Sequence, residues 1–252
     1  MIWLYHLPPI GLFLVLNLFI GAAALGLWWA PKIAITFPLV RAARELSPVL
    51  QTVCGTLFVL ATTFLASNVW AIEDRAYEAV AIEAREVRLL RTLSQLLPEP
   101  RRSEVVNLVT DYAEQSAAEW PQMDDLGGSH EAERVLAALY NAAVSLVPHE
   151  QLLSQEFMTA LKAVGEARER RLDIAGNNLS PDQWAAMLIL ALIMAIAVTI
   201  VHASSDGGRA SALGLVAAVV STALFLLIAH DRPFIGWDAL EPRSVIAAAR
   251  GL

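Results

Sequence analysis

The chain contains four apolar stretches that are each long enough to cross a lipid bilayer. They cover residues 8–30, 49–72, 184–203 and 210–229, and none of them contains Asp, Glu, Lys or Arg. A bilayer core of about 30 Å is crossed by roughly 20 apolar residues in a helix, whose backbone polar groups bond to one another. The sequence therefore predicts an integral membrane protein that contacts the lipid bilayer.

Most of the charged residues lie between the second and third apolar stretches. This polar segment has helical periodicity and is punctuated by Pro98, Pro100, Pro121 and Pro148, which predicts three or four helices. The predicted fold class is an all-α membrane protein. Its parts are transmembrane helices one and two (1–72), an extramembrane helical bundle (73–180), transmembrane helices three and four (181–229) and a C-terminal tail (230–252).

The second transmembrane helix is expected to continue into the polar segment without a break. No proline occurs between Pro48 and Pro98, which predicts a helix that starts after Pro48. A mixed run of charges on its polar half is typical of a solvated face. That run consists of Glu73, Asp74, Arg75, Glu78, Glu83, Arg85, Glu86, Arg88 and Arg91.

Local patterns predict further elements of the fold. Apolar residues at helical spacing predict two buried faces. One consists of Leu136, Leu139, Tyr140, Ala143, Leu146 and Val147, and the other of Leu153, Phe157, Leu161 and Val164. A serine, a proline and a glutamine at 180, 181 and 183 are typical of a capped helix start. No strand-like alternation competes with these patterns.

Composition excludes several classes of function. The net charge is −7 at pH 7, so the chain offers a poor surface for nucleic acid. The single cysteine, Cys54, allows no internal disulfide or thiolate cluster, and the five histidines lack metal-site spacing. No phosphate-binding glycine loop is present. We therefore expect no enzymatic activity, no metal site and no cofactor.

Hydroxyl side chains share one narrow face of the second transmembrane helix. At 100° per residue from Thr52, Thr56 lies at about 40°, Thr63 at about 20° and Ser67 at about 60°. Val59, Leu60 and Phe64 lie on or beside this face. Around an axis shared by several copies, the face would alternate hydroxyl and apolar bands, which can wet a pore and gate it by dewetting.

These hydroxyls also have a purely structural interpretation. Ser and Thr side chains in membrane helices can bond to the carbonyl one turn back and pack against neighbouring helices. The pattern alone leaves both interpretations open.

Three ionisable groups lie at the membrane boundary where the fourth apolar stretch ends. They are His230, Asp231 and Arg232. Such groups can pair with one another or face water, and an internal ion pair that positions the tail is the simpler account.

Three segments of the chain resemble the bacterial bestrophin-like family. They are HDRPFIGWDALEP after the fourth stretch, VWAIEDRAYEA after the second and SAAEWPQM in the middle. Pro233, Phe234 and Gly236 resemble the Pro-Phe-Gly that follows the last transmembrane helix of bestrophins, and Trp70 resembles a tryptophan of the second. Four helices with a long helical insert between the second and third match the bestrophin layout.

The resemblance implies a homo-oligomeric ion channel, pentameric and anion-permeable, with the second helix lining a narrow neck. Matching Trp70 to the bestrophin tryptophan places neck positions near Thr52, Thr56 and Leu60. Bestrophin necks carry bulky apolar rings where this chain has threonines. The acidic run that binds calcium in animal bestrophins is reduced here to Asp238 and Glu241, so the resemblance does not carry calcium gating over. By the same analogy the protein lies in the bacterial inner membrane with a cytoplasmic bundle.

A rival hypothesis is a non-conducting membrane scaffold or sensor that binds a partner protein through its helical bundle. The size of the polar segment favours it, and it predicts a monomer or dimer without an axial hole. A secondary transporter is a third possibility, but the chain lacks discontinuous helices and an ionisable residue at the membrane midplane.

Overall fold

The computed structural model describes residues 4–29, 38–125, 128–145 and 151–251. Within these ranges the protein is all-helical, without strands, which confirms the predicted fold class. The elements are α1 Pro9–Trp29, α2 Pro38–Ser94, α3 Arg101–Ala118, a short 3-10 helix Trp120–Asp125, α4 His130–Val144, α5 Gln151–Gly176, α6 Pro181–Val201, α7 Asp206–His230 and α8 Arg243–Arg250.

Four helices are long and apolar enough to cross a membrane. They are α1, the part of α2 from Gln51, α6 and α7, which agree with the four predicted stretches. The protein is therefore an integral membrane protein. The predicted start of α6 is also confirmed, because the Ser180 hydroxyl accepts a hydrogen bond from the Gln183 amide and the Gln183 side chain accepts one from the Ser180 amide.

Helix α2 begins eleven residues earlier than the sequence predicts. It starts at Pro38 and passes through Pro48 without ending. A proline inside a helix removes one backbone hydrogen bond, and the segment Arg41–Leu46 before it consists of strong helix formers. The proline ring also clashes with the carbonyl four residues earlier, so its local cost is about 3 kcal/mol, and α2 nevertheless continues through it. The whole helix of 57 residues is about 86 Å long at 1.5 Å per residue.

The chain divides into two compact units. The membrane unit comprises Met1–Ala71 and Leu179–Asp238, and the helical unit comprises Ile72–Asn178 and Ala239–Leu252. In the membrane unit, α1 packs mainly against α7, where the Phe13 and Phe225 rings meet edge to face at 5.7 Å. The core of this unit joins all four spanning helices and includes Leu12, Leu16, Cys54, Phe58, Val69, Met187, Val220 and Leu227.

The helical unit buries part of each apolar face that the sequence predicts. Leu139 and Ala143 of α4 are buried, and so are Phe157, Leu161 and Val164 of α5. Leu136, Tyr140 and Leu153 are half-buried, and Leu146 and Val147 lie outside the described residues. Helix α8 docks through Val245, Ala248 and Ala249, which are all buried. Arg91 of α2 donates a hydrogen bond to the Ala249 carbonyl at 2.5 Å and so caps the last turn of α8.

An ionic cluster lies in the interior of the helical unit, and it corrects the expectation that the whole charged run of α2 is solvated. Glu83 is fully buried and Glu86 is only 8% exposed. The Arg171 guanidinium is also fully buried, and its Nε donates to Glu83 Oε2 at 2.8 Å. Glu83 turns inward because it occupies the same helical register as its buried apolar neighbours on α2, Ala76, Val80, Val87 and Leu90.

Each charge in this cluster has several partners. The Tyr112 and Ser116 hydroxyls donate to Glu83 at 2.9 and 2.6 Å. Arg171 also donates to Glu119 at 3.0 Å, and its guanidinium lies 4.2 Å from the centre of the Trp120 ring. Burial alone would lower the pKa of Arg171, but the charges of Glu83 and Glu119 raise it above its ordinary value. Arg171 therefore stays charged.

Candidate pore-lining face

The membrane half of α2 has one face that is anchored in the membrane unit. Cys54, Phe58 and Val69 are 7%, 1% and 1% exposed and belong to the core. At 100° per residue from Thr52, they lie at about 200°, 240° and 260° around the helix. The helix is thus held from the side roughly opposite the hydroxyl stripe.

All seven predicted pore-lining residues lie away from the anchored side of α2 and are exposed. Val59, Leu60 and Phe64 are 58%, 49% and 68% exposed. The four hydroxyl-bearing residues, Thr52, Thr56, Thr63 and Ser67, are exposed as well. The structure therefore brings the seven residues together on one accessible face that the described part of the chain does not bury.

An open groove runs along this face. It is lined by Gln51, Thr52, Gly55, Thr56, Val59, Leu60 and Thr63. Five of these residues are predicted, whereas Gln51 and Gly55 are additions. The predicted list follows the hydroxyl pattern, and Gln51 and Gly55 lie just outside that pattern on the same turns.

The hydroxyl of Thr63 makes a local hydrogen bond. Thr63 Oγ1 donates to the Val59 carbonyl at 2.8 Å. This is the bond one turn back that the structural interpretation anticipates. It uses the hydroxyl proton but leaves oxygen lone pairs on the exposed surface. A hydroxyl bound in this way can still contact water or an ion.

The boundary residues form an anchor around Asp231, which is only 2% exposed. Its Oδ1 accepts a hydrogen bond from the Leu179 amide at 2.8 Å, and its Oδ2 accepts one from the Tyr5 hydroxyl at 2.7 Å. The Arg232 guanidinium lies 5.0 Å from the Tyr5 ring centre. Burial raises the pKa of the Asp231 carboxyl, although both hydrogen bonds act in the opposite direction.

The other boundary residues differ in their surroundings. Pro233 and Phe234 are buried, His230 is half-buried and Trp70 is 50% exposed. The sequence did not reveal Tyr5 and Leu179 as partners of Asp231. Tyr5 precedes the first span like an ordinary interfacial aromatic residue, and nothing in the local sequence indicates that its partner lies 226 positions away.

Gly236 holds the backbone against Tyr5 in a conformation that favours glycine. Its φ is +106°, and a Cβ at this position would lie 2.9 Å from the Tyr5 carbonyl oxygen. We expect Gly236→Ala to lower the free energy of unfolding by about 1–3 kcal/mol, because the residue is strained and its Cβ clashes with backbone.

Thermal unfolding in detergent measures this loss. Gly21→Ala is the matched control, since its Cβ meets open space within α1 and the change should be neutral or stabilising by up to about 1 kcal/mol. Equal melting temperatures for the two variants would contradict the anchoring role of Gly236.

Comparisons with known proteins agree with this architecture. A family model, the bestrophin-like domain, matches residues 18–245. A crystal structure of a bacterial bestrophin homolog from Klebsiella pneumoniae is 9% identical, with a TM-score of 0.70 over 94% of each chain. A variant of that homolog gives 11% identity and a TM-score of 0.71, over 94% of this chain and 95% of the other.

A further crystal structure, described as a membrane protein, is 10% identical with a TM-score of 0.70, over 96% of this chain and 97% of the other. A sequence search of curated proteins gives no match. At these identities the solved structures establish the shared fold, and the family model covers most of the chain. The protein belongs to the bestrophin-like family.

Proposed function

We propose that several copies of the chain assemble into an ion channel and that the exposed face of α2 lines its pore. The observation that carries this proposal is the contrast between the two sides of α2. One side is anchored in the core, and the other presents seven exposed residues that include four hydroxyls. Hydroxyls on a spanning helix are better placed against water or other helices than against lipid.

A single α2 face cannot enclose a hole, so the pore needs a ring of copies. The family resemblance implies five copies and anion permeation, and we adopt both as parts of the proposal. No residue from Thr52 to Ser67 carries a formal charge. Selection in this part of the pore would therefore depend on hydroxyl dipoles and on pore width. We place the protein in the bacterial inner membrane with the helical unit in the cytoplasm.

Permeation through such a pore would be passive. The threonine hydroxyls would replace part of the water shell of an ion as it enters a narrow section. The apolar side chains of Val59, Leu60 and Phe64 would form bands between the hydroxyls, and a band of this kind closes by expelling water. Opening would then require only a small widening at Leu60.

Cysteine accessibility tests the proposal directly. The described part of the chain has one cysteine, the buried Cys54, and Cys54→Ala gives a cysteine-free background. In that background we expect Thr56→Cys to react with a charged, membrane-impermeant thiosulfonate, because a thiol must meet water to ionise and react. The reaction should block most of the ion flux into liposomes that contain the purified protein.

Ala61→Cys is the control. Ala61 lies five residues further along the same helix and about 140° around it from Thr56, on the half-buried side toward the core, and it does not line the groove. It should leave the flux unchanged after the same treatment. Equal inhibition at both positions would overturn the assignment of the pore face. A monomer or dimer in detergent that conducts no ion would favour the scaffold or sensor instead.

A further inference from the structure

Three spanning helices of the membrane unit, α1, α6 and α7, enclose a second groove, which is apolar. Among the residues that the structure describes, those that line it are all apolar, and none comes from α2. Small side chains, among them Ala24, Ala191 and Ala217, form its concave surface. At its rim Phe19 and Leu192 are 76% and 52% exposed, so the groove opens to the surface of the unit.

The size and lining of this groove exclude water as its normal content. Its volume is about 160 Å³. An apolar cavity of roughly 150 Å³ stays dry and takes up hydrocarbon instead, because water finds no hydrogen-bond partners there. In a bilayer, the hydrocarbon that surrounds a spanning helix is that of the lipid tails.

The length of the groove corresponds to one leaflet. On α7 its lining extends from Leu213 to Leu224, about 16 Å at 1.5 Å per residue. That is about half of a hydrocarbon core of roughly 30 Å. A helix from a second copy would run through the whole core, whereas a single lipid tail occupies one leaflet.

Polar and aromatic residues mark the end of the groove at Leu213. One turn before Leu213, the Arg209 guanidinium lies 5.8 Å from the Trp28 ring centre. Arg209 Nη2 donates to Asp206 Oδ1 at 2.6 Å, and the Trp28 indole donates to the Asp206 carbonyl at 3.2 Å. Tryptophan and arginine at the end of a span are typical of the headgroup level.

We propose that this groove binds one acyl chain of a bilayer phospholipid, with the lipid headgroup at the level of Trp28 and Arg209. The tail lies along α7 from Leu213 toward Leu224 and fills the space between α1 and α6. The binding is apolar and selects a hydrocarbon tail. This proposal is independent of ion conduction.

Two neighbouring alanines of α7 provide the test. Ala217 lines the groove, whereas the adjacent Ala218 is exposed and does not line it. The full-length protein and the variants Ala217→Phe and Ala218→Phe are reconstituted with palmitoyl-oleoyl phosphatidylglycerol and extracted into mild detergent. Native mass spectrometry then counts the phospholipids that remain bound to each subunit.

The unaltered protein and Ala218→Phe should each retain one phospholipid per subunit, and Ala217→Phe should lose it. Ala217→Leu, a smaller filling change, provides a second readout if the phenylalanine variant does not fold. Equal retention by the Ala217 and Ala218 variants, or no retained phospholipid on the unaltered protein, would overturn the proposal. Liposome ion flux, measured in parallel, reports on the channel separately.

Discussion

Replacing Arg171 by methionine should lower the free energy of unfolding of the helical unit by about 3–5 kcal/mol. The substitution leaves the fully buried Glu83 carboxylate without its cationic partner. Tyr112 and Ser116 would still donate to Glu83, and Arg168 would still pair with Glu119, but hydrogen bonds alone do not offset the burial of an unpaired charge.

Thermal unfolding followed by circular dichroism in detergent measures the effect. Arg170→Met is the control, since Arg170 directly precedes Arg171 on α5 and is exposed, and its loss should change the stability by less than about 0.5 kcal/mol. The double variant Arg171→Met with Glu83→Gln removes both charges and should recover part of the loss. Equal effects of the Arg170 and Arg171 substitutions would show that the ionic cluster does not stabilise the helical unit more than an exposed charge does.

A charge at Leu60 should set the sign of the permeant ion in the proposed channel. We expect Leu60→Glu to shift the reversal potential toward cation permeation and Leu60→Lys to shift it toward anion permeation. Unit charges 4 Å apart interact by about 4 kcal/mol at an effective dielectric constant of about 20, and about 1.4 kcal/mol is a factor of ten. Even after screening by pore water, the permeability ratio should change at least about tenfold.

Leu60→Gln separates charge from polarity in this experiment. Glutamine matches glutamate in shape but is neutral, so the reversal potential should stay close to that of the unaltered protein. Its conductance should nevertheless rise, because an amide wets a band that leucine keeps dry. Identical reversal potentials for the Glu, Gln and Lys variants in planar bilayers would place Leu60 outside the ion pathway.

Local patterns in the sequence were sufficient to predict the four spanning helices. Length and the absence of formal charge identify the four spans, because a bilayer imposes both requirements on any helix that crosses it. Periodicity likewise identifies Leu139 and Phe157 as buried, since each belongs to an apolar stripe of its own helix.

Long-range polar partners could not be read in the same way. Glu83 belongs to a run of charges that composition assigns to solvent, and its partner Arg171 lies 88 positions along the chain. The apolar residues around Glu83 at helical spacing do indicate its burial, but they do not indicate which cation it meets. Asp231 and Leu179 present the same difficulty over 52 positions.

The proposed pore face could be predicted only in part. Its angular pattern is a local property, so Thr52, Thr56 and Ser67 could be placed on one side of α2 from the sequence alone. Whether that side is exposed depends on where α1, α6 and α7 pack. The sequence does not contain this information in any single segment, and the structure supplies it through the buried Cys54, Phe58 and Val69.

The hydrogen bond from Tyr5 to Asp231 has a consequence for biogenesis. Tyr5 leaves the ribosome 226 residues before its partner. At a synthesis rate of about 5–20 residues per second, roughly 11 to 45 seconds pass between the two. During much of that interval α1 lies in the bilayer without α7, the helix against which it mainly packs.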